Sequence, residues 1–522
     1  MVRRNCLHWL MGIVAMLACA TARADDSPGQ EMLDKAMETK LTAETAGDLN
    51  DVITFCRDAL EAGLNEPNTQ FANELLASTL TQRADLICTE LFERPVRPAR
   101  GRRLLQMAVT DLQETLRINS EQPLAQHLIG RIYAHLGQKK QALEALNTAI
   151  RLAGEDRHIQ ARSLIVRANL REEPAEQLAD FDEAVELTPG DPDVFRYRGM
   201  YHLSENRVDN ALADFHAALE IEPDDTDTLE AAGLAQSVLE KYDEAMESFN
   251  KVIELEPKSP SAYTHRARVR AIQGDMDAAL ADVEEALKMQ PGSVQALRLH
   301  ASLLGGNGEF EKALRDLNML RTAMPDDPEL LLQIGAMYQA SKQPDEAIRT
   351  YGTLLDADAK NVAAYRGRAD SYLSLGKQAE AIADYEKAIE NEPNDSGSLN
   401  NLAWVLATSP DDELRDGKRA IELAKQACEV TEYKEAHIIS TLAASYAEVG
   451  DFESAIDWSK KAVELGPDAL KGQLQKERDS YKEHKPWREA IPPDLAAAPQ
   501  DRVSANEPSP PTDETARTKA RR

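Results

Sequence analysis

Proline recurs at a spacing of 34 residues, at Pro189, Pro223, Pro257, Pro291 and Pro325, and returns two steps later at Pro393, with Ala359 in the skipped place. A period of this length is the trace of stacked helical pairs, each too small to bury its apolar face without a neighbour. The composition agrees. Of 522 residues 42% are hydrophobic, enough for a long core, and only 5% are aromatic; abundant Ala, Leu and Glu favour helix over sheet. Arrays of this kind hold other molecules and seldom carry out chemistry, so the period speaks to how the protein works and not to what it works on.

Setting each proline at position 32 of its repeat brings other positions into line. Position 20 is Ala142, Ala211, Ala245, Ala279, Ala313, Ala347, Ala381, Ala420 and Ala455, with Gln177 the one exception in ten repeats. Position 8 is Gly130, Gly199, Gly233, Ala267, Ala301, Gly335, Ala369, Ala403 and Ala443, broken only by Ile165. Small residues at both places allow two helices to approach closely. Larger side chains at positions 4, 11 and 24 fill the remaining core, with Phe181, Phe215, Phe249, Tyr351 and Tyr385 at position 24. Proline at position 32 ends the second helix, where a missing N–H does little harm.

The ten repeats occupy residues 123–467. The repeat from Ser396 carries five extra residues around Pro410-Asp411-Asp412-Glu413, expected to form a loop at one edge of the array. Upstream, residues 25–122 read as divergent helical pairs: one over 30–64, then a long helix over 68–94, a break at Arg94–Arg103 and a helix over Arg103–Ile118. Irregular terminal repeats are expected, because the ends of a stack must cover their own apolar face. Residues 468–491 hold a polar capping helix over Ala469–Lys485, and the Pro-, Ala- and charge-rich stretch 492–522 reads as disordered.

The register of Phe195, Gly199, Ala211, Phe215, Ala218 and Pro223 resembles the tetratricopeptide repeat. The ending Tyr481-Lys482-Glu483-His484-Lys485-Pro486-Trp487-Arg488 resembles the last segment of exported bacterial proteins built from that repeat alone. The resemblance implies an all-α fold, a right-handed α-solenoid of antiparallel helix pairs with a capping C-terminal helix. It also implies that the first helix of each pair lines a concave face, with positions 2, 5, 9 and 12 toward the groove. Position 5 holds His127, Arg162, Arg196, Arg298, Arg366 and Asn400, and position 9 adds Arg131 and Arg268. These eight residues are the candidate peptide-binding set. Guanidinium groups clamp carboxylates bidentately, and a concave wall focuses their field, which points to an acidic or C-terminal peptide. The alternative is that the arginines pair with Asp193, Asp227, Glu230 or Asp370 and only stabilise the stack. Some family members hold a terminal carboxylate with Lys and Asn at positions 5 and 9; Asn400-Asn401 is the nearest fragment of that set.

Charge narrows the partners. The formal net charge is −30, the first 24 residues carry +3 and the stretch from Pro492 carries none, which leaves −33 on the body. A body this acidic is repelled by phosphate backbones and anionic lipid heads, so nucleic acid is not an expected partner. The first 24 residues read as an export signal: Arg3 and Arg4, the mostly apolar stretch Leu7–Ala20, and the small-x-small sequence Ala22-Arg23-Ala24 before Asp25. A periplasmic or extracellular location follows. Two alternatives stay open, retention of the apolar stretch as an anchor or lipidation at Cys19 in Met16-Leu17-Ala18-Cys19, and either would tether the protein to a membrane. Maturation would leave Cys56, Cys88 and Cys428. Cys56 and Cys88 fall about 20 Å apart along antiparallel helices, beyond the roughly 7 Å that a disulfide bridges, so three unpaired, mostly buried thiols are expected.

Catalytic signals are missing from the sequence. There is no GxSxG, HExxH, Walker loop or dinucleotide-binding glycine run. Gly305-Gly306-Asn307-Gly308 lacks a following Lys-Ser/Thr and falls where the internal turn of a repeat belongs. His127 and His135 lie about 12 Å apart on one helix, too far for one metal. Neither cofactor nor metal is expected. The reading is an exported scaffold or adaptor, no enzyme, that binds peptide segments in its groove; the alternatives are a structural subunit of an envelope assembly and a transferase-associated protein of the O-linked N-acetylglucosamine transferase type. Only 35 residues follow Trp487, too few for a glycosyltransferase fold.

Overall fold

A computed structural model describes residues 27–93 and 98–489. The export segment and the stretch 492–522 lie outside the described residues, as do Arg94, Pro95, Val96 and Arg97. Every regular element among the described residues is helical: 25 α-helices and one 3₁₀ turn. The fold is an all-α solenoid of antiparallel helix pairs. The chain divides between Val269 and Arg270 into two compact halves.

Within the first half, the divergent pair is Gln30–Thr42 and Ala46–Ala62, followed by the long helix Glu66–Glu93. The next helix begins at Pro98, five residues before the expected Arg103. The physical reason is that proline at a helix start loses only an N–H that has no intrahelical partner, so Pro98 opens the helix. The repeats then run in pairs from Pro123–His135 and Lys139–Ala153 onward. In the second half they continue to Ala436–Glu448 and Phe452–Leu465, and the capping helix covers Asp468–Lys482.

The position-8 and position-24 residues meet as the sequence implied. A Cβ added at Gly199 would stand 2.7 Å from the Phe215 ring, and one at Gly233 would stand 2.6 Å from Phe249. Glycine is required here by close approach alone. The nine position-20 alanines are all fully buried, and so are the five aromatic residues at position 24. First helices open on aspartate or asparagine caps such as Asp225, Asp327, Asn361 and Asp395, whose side chains accept the N–H three residues on. Such caps satisfy donors that the helix itself leaves orphaned.

Cys56, Cys88 and Cys428 are free and buried. Burial pushes the first two thiols up to about 12 and the third to about 11. Among the described residues no helix is long and apolar enough to cross a membrane.

Candidate functional site

Of the eight groove candidates, His127, Arg131, Arg162, Arg196 and Arg268 belong to the first half and Arg298, Arg366 and Asn400 to the second. They divide into three kinds of environment.

Three position-5 arginines are held by the chain. Arg298 Nη2 donates to Asp327 Oδ2 at 3.0 Å, and Arg366 Nη1 donates to Asp395 Oδ1 at 2.8 Å. Arg196 pairs with Asp193 one turn before it, and its Nε lies 3.8 Å from Asp225 Oδ2. Asp225, Asp327 and Asp395 are the N-caps of the next first helices. Each therefore takes an N–H from its own helix and a guanidinium from the preceding repeat. Gly397 leaves the space: a Cβ there would stand 2.6 Å from Arg366 Nη1. Of the acids expected to neutralise these arginines, only Asp193 forms an ion pair with one of them. Glu230 instead accepts from Ser261 at 2.9 Å and lies 3.2 Å from His265, and Asp370 accepts from Tyr385 and Asn401. The physical reason is reach: the cap carboxylate faces back along the stack and meets the guanidinium first.

Asn400 is buried and donates to Asn401 Oδ1 at 3.0 Å. It belongs to the packed interior, not to an open groove.

His127, Arg131 and Arg162 form the third kind. His127, on helix Pro123–His135, is 3% exposed, and its Nδ1 lies 2.9 Å from Ser163 Oγ on helix Arg157–Ala168. Its basicity is held down to about 3, first by burial and then by the positive charges of Arg131 and Arg162. Both arginines thus stand close to one buried ring. The Arg131 guanidinium sits 5.0 Å from the centre of the Phe92 ring, and Arg162 is exposed. Neither has a carboxylate within ion-pair distance among the described residues. Arg268 is likewise exposed and unpaired among them.

The His127 environment makes a pH prediction. Its folded value of about 3 lies below the ordinary 6.5, so on acidification the unfolded chain takes up the proton first. Stability is complete above pH 6.5 and falls by ~1.4 kcal/mol per pH unit below it, until about pH 3. Between pH 7 and pH 5 the native protein should lose about 2 kcal/mol relative to H127Q. Parallel urea titrations of the two proteins check this; equal losses would refute it.

Sequence reasoning missed a second set of paired arginines, which sit at position 7. Arg198 grips Asp214 with two bonds, at 2.7 and 2.9 Å, and Arg368 grips Asp384 at 2.7 and 2.8 Å. His300 at the same position meets Asp316 at 2.8 Å. The acids all occupy position 23, where Asp180, Asp214, Asp282, Asp316 and Asp384 stand in register. That recurrence was the available signal. The position-7 guanidinium also lies over the aromatic ring at position 4, in Phe195/Arg198, Tyr263/Arg266 and Tyr365/Arg368. These forks pin the two helices of one repeat together and leave nothing free for a ligand.

Family models of the tetratricopeptide repeat match residues 230–294 and 332–396, 384–426, and 124–156. No curated protein matches the chain. Solved structures similar to it include a tetratricopeptide repeat protein from Parabacteroides merdae, 19% identical over 55% of this chain and 97% of that one, with a TM-score of 0.37. Yeast Tom70 is 15% identical over 79% of this chain and 96% of its own, with a TM-score of 0.38. The C-terminal part of a repeat protein from Cytophaga hutchinsonii is 18% identical over 47% and 98%, with a TM-score of 0.39. With small residues at positions 8 and 20 packed as the register demands, and with matches to the repeat in both halves, the chain is a tetratricopeptide-repeat protein.

Proposed function

We propose that the protein is an exported, non-catalytic interaction scaffold that captures a peptide segment of its partner on the first-helix face around Arg131 and Arg162. Tetratricopeptide repeats are protein-interaction modules, and the observation that carries the finer reading is the contrast among the arginines. Those at positions 196, 298 and 366 are neutralised by aspartates of the chain, whereas Arg131 and Arg162 converge on His127 with no acidic partner among the described residues. Two uncompensated guanidinium groups on a body of strongly negative net charge favour a carboxylate-bearing ligand, an acidic side chain or a chain terminus. Export rests on the first 24 residues and places the partner outside the cytoplasm. Arg268 is a secondary contact in this reading.

The test is affinity capture from the exported fraction, with the captor's intact mass reporting whether the mature chain begins at Asp25. The R131E/R162E variant should bind the captured partner about a hundredfold more weakly, the loss expected when a desolvated charge pair becomes a repulsion. R298E/R366E should leave capture within about threefold while lowering stability, since its arginines serve the stack. If both variants bind the partner as well as the native protein does, the groove reading is wrong.

A further inference from the structure

Two departures from the repeat meet in the second half. The first is the five-residue insertion after helix Ser396–Thr408; the second is the segment that leaves the capping helix at Lys482. In an ordinary repeat the first helix ends in a tight turn whose amides bond back to the last carbonyls, as Asn206 N to Leu203 O and Arg207 N to His202 O do. The insertion replaces that turn. Ser409 N still reaches Val405 O, and Asp416 N folds back to Leu406 O at 3.0 Å, but the carbonyls of Ala407 and Thr408 receive no such amide from the loop. A helix leaves its last carbonyls without intrahelical partners, and a cation is favoured at that end.

The tail supplies both. Glu489 N donates to Thr408 O at 2.9 Å, and Arg488 Nη1 donates to Ala407 O at 3.4 Å. Trp404 Nε1, one turn back, donates to Glu489 Oε2 at 2.9 Å. Trp487 packs against the apolar cluster of the last repeats. Glu448, at the end of helix Ala436–Glu448, lies between two guanidinium groups, with Arg415 of the insertion at 2.9 Å and Arg488 of the tail at 2.6 Å. His484 stands edge-on to Phe452 at 5.1 Å. From Lys485 to Glu489 the tail has no helix of its own; Lys485 bonds back to Ser480 through its N–H at 3.0 Å and its carbonyl at 2.9 Å, and beyond it these contacts hold the segment.

We infer that the ends of helices Ser396–Thr408 and Ala436–Glu448 form a docking surface for an extended segment carrying an aromatic residue followed by arginine, and that the chain's own Lys485–Glu489 is its resident occupant. The surface reads three things: an indole against the apolar cluster, a guanidinium at Glu448, and a backbone N–H at the open helix end. The insertion is what opens that end, so insertion and tail are two halves of one device. A partner reaches this face only by presenting the same chemistry and displacing the tail. The inference is independent of the Arg131 face, which lies in the other half.

The test uses the full chain and a labelled synthetic peptide of residues Glu483–Glu489. The W487A/R488E variant, with its tail loosened, should bind the peptide at least tenfold more tightly than the native protein, and adding E448A should remove that binding. Equal binding to native and loosened proteins, or none to a loosened protein of native helicity, overturns the proposal. Native-state hydrogen exchange on the unaltered protein is a second reading. The Glu489 amide, bonded to Thr408 O, should exchange through a local opening, ahead of helix Ala436–Glu448; exchange of both only together would show a fixed part of the fold and overturn it.

Discussion

Arg83→Met is expected to lower the stability of the first half by about 3–5 kcal/mol, the cost of leaving a buried charge unpaired. Arg83, on helix Glu66–Glu93, holds Asp111 of helix Pro98–Ile118 through Nη2 at 2.6 Å and Nε at 2.8 Å, and it also donates to Asn50. The two side chains are 10% and 3% exposed. Burial raises the Asp111 carboxyl, and Arg83 pulls against that rise. Without the guanidinium the carboxyl would rise further, so the folded variant would bind a proton more readily than the unfolded chain. Its stability would then grow as pH falls, and the deficit measured by urea denaturation should be largest at neutral pH and shrink in acid. The double variant R83M/D111L should recover most of the loss, because an apolar pair of similar volume carries no desolvation cost. A single variant within 1 kcal/mol of the native protein would show that water reaches the pair.

Tyr351→Ala is the second large effect, at about 4 kcal/mol, in the middle of the range for removing a buried aromatic side chain. The ring lies between two glycines on successive first helices: a Cβ at Gly335 or at Gly367 would stand 2.5 Å from it. Neither glycine has a side chain that could swing into the space, so the cavity would persist. Tyr351 also donates to Gln339 Oε1 at 2.8 Å, and Y351F isolates that bond at about 1 kcal/mol. Because each repeat touches only its neighbours, hydrogen exchange should rise across residues 328–374 and much less in helix Ala436–Glu448. A uniform rise would refute the local account.

The repeat was legible in the sequence because its core rules are local and repeated. Alanine at position 20 and a small residue at position 8 can each be read without knowing what lies opposite, and the rings at position 24 fill the space they leave. The groove was less legible. Position 5 does carry the arginines, but their partners are cap aspartates 29 residues downstream, as in Arg298 and Asp327. Only a built stack shows that the cap side chain turns back toward the preceding repeat. Arg131 and Arg162 are distinguished by what fails to reach them, which no spacing encodes. Likewise the insertion and the ending each stood out as odd, while the bond from Glu489 to Thr408 joins residues too far apart for either to announce the other.

The cap aspartate that serves two masters has a consequence for how such a chain lengthens. A repeat that carries arginine at position 5 and aspartate at position 34 holds both halves of one connection, and its aspartate also caps the helix that follows. A tandem duplication of the whole 34-residue segment therefore inherits both halves, and the newcomer joins its siblings with no orphaned charge. An insertion or deletion out of step with that length strands an arginine from its aspartate. Growth by complete copies is thus the change this stack accepts most readily, and the same rule says where a repeat can be added or removed by hand.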